Sequence, residues 1–153
     1  MTALVIVTFA AGALLATVAA MIDARTHRLP NVFTFPIAAI GIAGLAVASL
    51  VGDEPIRWAK MALGVGFFCG PWLITHLVAP STIGFGDIKY SAGLGVYLGW
   101  LAPAVAILGF FIAPTVYALA FMAMRRRTND PIPFGPPLLA GATLATAAYP
   151  LLF

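Results

Sequence analysis

Residues 4–22 read LVIVTFAAGALLATVAAMI, an uncharged run that ends on Asp23. A helix that crosses a bilayer needs about 20 consecutive, mostly apolar residues, because each adds only about 1.5 Å of rise against a hydrocarbon core about 30 Å thick. This run meets that requirement, and the rest of the chain reads the same way. Hydrophobic residues make up 62% of the 153, against roughly 45–50% in an ordinary soluble domain. The composition therefore predicts an all-α, polytopic membrane helix bundle and excludes a soluble globular enzyme.

Working outward from the first run, residues 32–51 form a second span, with Pro36 near its start, where a missing amide donor matters least. Residues 52–60, with Asp53, Glu54, Pro55, Arg57 and Lys60, are a polar connection. Residues 61–79 are a third span that contains Gly70-Pro71, a kink signal. Residues 80–86, Pro80-Ser81-Thr82-Ile83-Gly84-Phe85-Gly86, read as a loop. Residues 88–99 are apolar but would rise only about 18 Å as a helix, short of a full crossing. Residues 103–124 make a full span, and residues 137–153 a last helix. The expectation is one membrane-embedded domain, residues 1–153, of about six transmembrane helices with a short fourth. No Lys or Arg precedes the first run, so it reads as a retained helix rather than a cleaved signal.

The basic residues are few and sit beside helix ends. The net charge of +3 therefore reads as membrane orientation rather than nucleic-acid binding. Taking connections alternately, Arg25, Arg28, Lys89, Arg125, Arg126 and Arg127 fall on one side, and Arg57 and Lys60 on the other. Six against two assigns the first set to the cytoplasm and both termini to the outside. Asp23 and Asp87 then share the cytoplasmic face. The single cysteine, Cys69, excludes an internal disulfide and a Cys-rich zinc site. His27 and His76 have no second ligand at metal spacing, so neither metal nor cofactor is predicted.

The acids carry the functional signal. Asp87 lies in Gly84-Phe85-Gly86-Asp87-Ile88-Lys89, at the mouth of the fourth helix, and Asp23 closes the first. A bare G-x-G-D is a weak signal, but an acid where a membrane helix begins is costly enough to be a functional candidate by default. Gly12, Ala16, Ala19, Ala20 and Asp23 follow helical spacing, as do Asp87, Ser91, Gly95 and Gly99. Each acid thus ends a stripe of small residues, which predicts that the first and fourth helices pack closely with their acids facing. Two carboxylates in one partly desolvated site tend to share a proton. One then serves as general base toward water and the other as general acid, the state that peptide hydrolysis needs. Gly84 and Gly86 would let backbone approach a substrate closely and leave the loop free to adjust.

Three stretches together resemble the type IV prepilin peptidases, membrane aspartic proteases of the GxGD kind. Asp23-Ala24-Arg25-Thr26-His27-Arg28-Leu29-Pro30-Asn31 is similar to the family's first-aspartate segment, Gly84 to Lys89 to its second, and Pro133-Phe134-Gly135-Pro136 to a late element. The resemblance implies removal of a short basic leader from prepilin or pseudopilin precursors, whose apolar helix lies against the bundle, at the cytoplasmic face of the inner membrane. It implies that Asp23 and Asp87 are catalytic. Gly84, Gly86, Pro30, Asn31, Phe134 and Gly135 become candidates for binding substrate or shaping the site. Longer family members carry a cysteine-bearing cytoplasmic insertion and methylate the new N-terminus. No such insertion is present, which leaves methyl transfer open.

Lys89 reads as snorkelling to the lipid interface, His27 as a surface histidine, and His76 as a packed polar residue bonded to a neighbouring helix. Arg125 to Arg127 read as a topology anchor with contact to anionic lipid. Two other classes compete: a small proton-coupled carrier, and a non-catalytic scaffold for pilus assembly.

Overall fold

The computed structural model describes residues 2–53, 55–80, 82–124 and 133–152. Glu54, Ser81 and the Arg125-Arg126-Arg127 run lie outside the described residues. Among the described residues six helices follow in order: α1 Thr2–Thr26, α2 Asn31–Val51, α3 Trp58–Val78, α4 Phe85–Leu101, α5 Pro103–Met124 and α6 Gly135–Leu152. Among the described residues there is no strand. Helices α1, α2, α3 and α5 are long and apolar enough to cross a membrane. The chain is a multi-pass membrane helix bundle.

The fourth helix is longer than its apolar run suggests. It begins at Phe85 and has 17 residues, about 26 Å of rise. The glycines that read as loop, and Phe85 between them, lie at its start: Gly84 is the N-cap and Gly86 is already helical. Likewise α3 begins at Trp58, which takes Lys60 out of the connection. In both places the added first turn gains backbone hydrogen bonds rather than burial, since Trp58 and Phe85 stay exposed.

Helix α4 is the centre of the bundle and touches all five others. Its residues from Gly93 to Trp100 are buried without interruption, on every face. Its most extensive contact is with α3, where side chains are absent on both sides. Gly64 lies directly on the Gly95 carbonyl and on Gly99, and Gly99 lies on the Lys60 carbonyl, so backbone meets backbone. The small-residue stripe of α4 therefore serves α3 and not α1. Helix α1 instead receives two tyrosines. The Tyr97 ring fills the space over Gly12, and the Tyr90 hydroxyl donates to the Ala16 carbonyl at 2.8 Å. Tyr97 itself donates to the Ile37 carbonyl of α2 at 2.9 Å. Helical spacing identifies a small face but not its partner, which is settled by where long side chains must go.

Both ends of α4 meet complementary charge. Asp87 sits in its first turn, and Arg57 donates to the Trp100 carbonyl at 3.3 Å with its guanidinium 5.0 Å from the Trp100 ring. Each charge opposes the partial charge of the helix end it faces.

The glycine contacts make a stability prediction. Gly64→Val or Gly99→Val drives a side chain into backbone that has nowhere to go, at a cost of about 3 kcal/mol or more. Gly66 and Gly70 have open space around them. Gly66→Ala is expected to be neutral or stabilising by about 0.5–1 kcal/mol. Unfolding of the purified variants in mixed detergent measures both; an unchanged Gly64→Val would contradict the close packing of α3 on α4.

Candidate active site

The two acids come from opposite helix termini, and the fold brings those termini to one end of the bundle. Asp23 lies in the last turn of α1 and is only 4% exposed. The left-handed φ of 53° at His27 ends that helix, with the His27 amide still donating to the Asp23 carbonyl at 2.8 Å. Asp87 is the third residue of α4, where a carboxylate turned back toward the N-cap opposes unpaired helix amides. Both acids line one cleft of about 420 Å³ together with Gly84, Trp72, Tyr117 and Phe134.

Two glycines hold these carboxylates by what they lack. The Gly135 amide, the first of α6, donates to Asp23 Oδ2 at 2.8 Å, so the positive end of a helix is aimed at the acid. A Cβ at Gly135 would lie 2.9 Å from that oxygen, and a Cβ at Gly84 would lie 3.0 Å from Asp87 Oδ2. Neither glycine has positive φ. Their need is for space against a carboxylate, not for an unusual turn.

The family model for the type IV leader peptidases matches residues 10–123. This chain belongs to the type IV leader peptidase family. A prepilin leader peptidase/N-methyltransferase of Burkholderia pseudomallei (strain K96243) is 37% identical over 124 residues, 78% of this chain and 39% of its own. The protein of the same name in Escherichia coli (strain K12) is 30% identical over 127 residues, 81% of this chain and 55% of its own. The Dickeya chrysanthemi protein is 30% identical over 118 residues, 76% and 42% of the two chains. The chain thus spans roughly two fifths to just over half of these relatives. No solved structure matches it.

The family match includes Asp23 and Asp87 and stops before α6. Phe134 and Gly135, named from the late motif, lie beyond that match, and their part in the cleft is seen in its geometry. Phe134 lies with its ring 5.0 Å from Trp72 and 5.2 Å from Tyr117, centroid to centroid, and the three aromatics make an apolar wall of the cleft. Trp72, Thr75 and Tyr117 escaped the sequence reading because aromatic and hydroxyl residues on long apolar helices look like ordinary packing. The nearby Pro71 and Pro114, inside α3 and α5, were the available signal.

Of the remaining candidates, Pro30, Asn31 and Gly86 do not line the cleft. Pro30 is the N-cap of α2. Gly86 faces the α1–α2 connection instead of a substrate: a Cβ there would meet Leu29 Cβ at 3.1 Å and the Leu29 carbonyl at 3.2 Å. Asn31 accepts a hydrogen bond from Lys89 Nζ at 3.0 Å, which turns Lys89 toward α2 and away from a purely lipid-facing role. His27 is exposed, as expected, and also lines the cleft. His76 Nδ1 bonds the Ile83 carbonyl at 2.8 Å. A carbonyl only accepts, so Nδ1 carries the proton. Its partner is the α3–α4 connection, not a neighbouring helix, and the bond braces the approach to Gly84.

Proposed function

We propose that the chain is a membrane aspartic endopeptidase that removes the short basic leader of prepilin or pseudopilin precursors, with Asp23 and Asp87 as its catalytic pair. The observation that carries this reading is the convergence of two carboxylates, remote in sequence, on one cleft. In the reaction the ionised member of the pair takes a proton from water, whose oxygen adds to the scissile carbonyl. The protonated member hydrogen-bonds that carbonyl oxygen and stabilises the tetrahedral intermediate. Collapse of the intermediate breaks the C–N bond, and the leaving nitrogen takes up a proton from the pair. The Gly135 amide holds the Asp23 carboxylate in place while protons move. The family membership and the names of the relatives support the substrate class.

The six-to-two distribution of basic residues supports a cytoplasmic site in the inner membrane. The cleft would receive the junction between leader and apolar helix, while that helix lies against the bundle in the lipid. The position of both acids at helix ends also favours a peptidase over a proton-coupled carrier, whose acids belong near the midplane. Reporter fusions after Asn31 and after Asp130 should both report cytoplasm. An external location for either would remove the support from topology.

Co-expression with candidate precursors, followed by the mass of the product, tests the activity itself. The expected result is loss of a basic leader from a precursor with an adjoining apolar helix, unaffected by chelators. Failure to cut any such precursor, or inhibition by chelators, would overturn the reading.

A further inference from the structure

The structure points to Lys89 as a positioning residue of the two-aspartate site, which clamps the start of α2, and through it the Asp23 segment, onto the first turns of α4. The inference rests on the peptidase reading for its kinetic consequences and on geometry alone for the clamp. Lys89 Nζ donates to Asn31 Oδ1 at 3.0 Å. The same nitrogen lies 5.1 Å from the Phe35 ring centroid and 4.9 Å from that of Phe85. Phe35 follows Asn31 by four residues on α2, and Phe85 precedes Lys89 by four on α4. Each ring therefore lies one helical turn from its partner on the same face. The ammonium is held between two helices by one amide oxygen and two ring faces.

What this clamp holds is short. Only residues 27–30 separate α1 from α2, so a fixed Asn31 leaves Asp23 little freedom. A second grip lies beside the first, where Leu29 rests on the bare backbone of Gly86. Gly86 and Lys89 flank Asp87 on α4, and they hold Leu29 and Asn31, which flank Pro30. The one element that carries Asp87 thus also grips the connection leading from Asp23. Lys89 does not line the cleft, and its hydrogen bond goes to an amide oxygen. It acts on the carboxylates through Asn31 and is not itself catalytic.

A double-mutant cycle on the full chain, with a prepilin-like precursor that the wild type cuts, tests this. Lys89→Met and Asn31→Ala are each expected to lower kcat about 10- to 100-fold, the scale on which small misplacements of reacting groups cost rate. KM should change far less than kcat. The double variant should be little worse than either single one, because both remove the same link. Lys89→Arg, which keeps donor and cation, should recover most of kcat. An Asn31→Ala variant of normal activity, fully additive effects, or no recovery by Lys89→Arg would overturn the proposal.

A second measurement needs no substrate. In a Cys69→Ser background, Asp23→Cys with Asp87→Cys is joined by a short thiol-to-thiol reagent and the intrachain product is read by mass. Adding Lys89→Met should lower its yield several-fold, and adding Lys89→Arg should not. A yield indifferent to Lys89→Met would overturn the clamp even where the wild type cuts precursor. A yield that falls while no precursor is cut would uphold the clamp and sink the peptidase reading alone.

Discussion

Asp23→Asn and Asp87→Asn are each expected to lower leader cleavage by about 10³-fold or more, within the range for loss of a general acid or base. Asparagine keeps the shape of the side chain and an acceptor oxygen, so the Gly135 amide that now donates to Asp23 still finds a partner in Asp23→Asn. It cannot accept a proton from water or share one with its neighbour. The loss is therefore chemical, and both variants should insert, fold and bind precursor. Burying a neutral amide near a helix end also costs less than burying a carboxylate, which argues against misfolding as the cause. The two groups act as one unit, so the double variant should be little worse than either single variant. Cleavage by purified protein at matched amounts, with precursor binding measured in parallel, provides the test. Near-normal cleavage by either single variant would end the paired-carboxylate mechanism and favour the carrier or scaffold.

Gly135→Ala is expected to have the next largest effect on rate, about 100-fold in kcat, with the fold preserved. The added Cβ would lie 2.9 Å from Asp23 Oδ2 and 3.2 Å from Asp23 Cβ, closer than such atoms settle. The carboxylate is the part able to move, and movement of about 1 Å in a reacting group is enough for a loss of that order. Gly135 does not have positive φ, so alanine adds no backbone strain that would confuse the result. Gly84→Ala makes a graded comparison, since its Cβ would meet Asp87 Oδ2 at 3.0 Å, and a smaller loss is expected. Measuring kcat and KM for both variants beside their thermal stability in detergent checks the argument. A fully active Gly135→Ala would mean that the contact between α6 and Asp23 does not matter to the chemistry.

The apolar runs, the acids that end them and the three short motifs were legible in the sequence because each is a local property. Twenty apolar residues must cross a bilayer or be buried, whatever surrounds them. An acid at the end of such a run stands out against a chain with 8% charged residues. On that basis the helix count, the family and the two acids could be read without coordinates. Arrangement could not be read in the same way. The glycine stripe of Gly95 and Gly99 has the right spacing to meet another small face, but Gly64 of α3 and not α1 takes it, because Tyr90 and Tyr97 occupy the space toward α1 and α2. Gly84 and Gly86 were legible as glycines, whereas their separate tasks, space for Asp87 and space for Leu29, exist only in three dimensions. Lys89 shows the same limit, since nothing local to it announces Asn31, which is 58 positions away in the chain. Hydropathy and motif spacing thus determined that this is a membrane helix bundle with two acids at helix ends. Which faces meet, and which backbone amide and which cation hold those acids in register, was decided by competition among side chains for space between helices, a contest that no single segment contains.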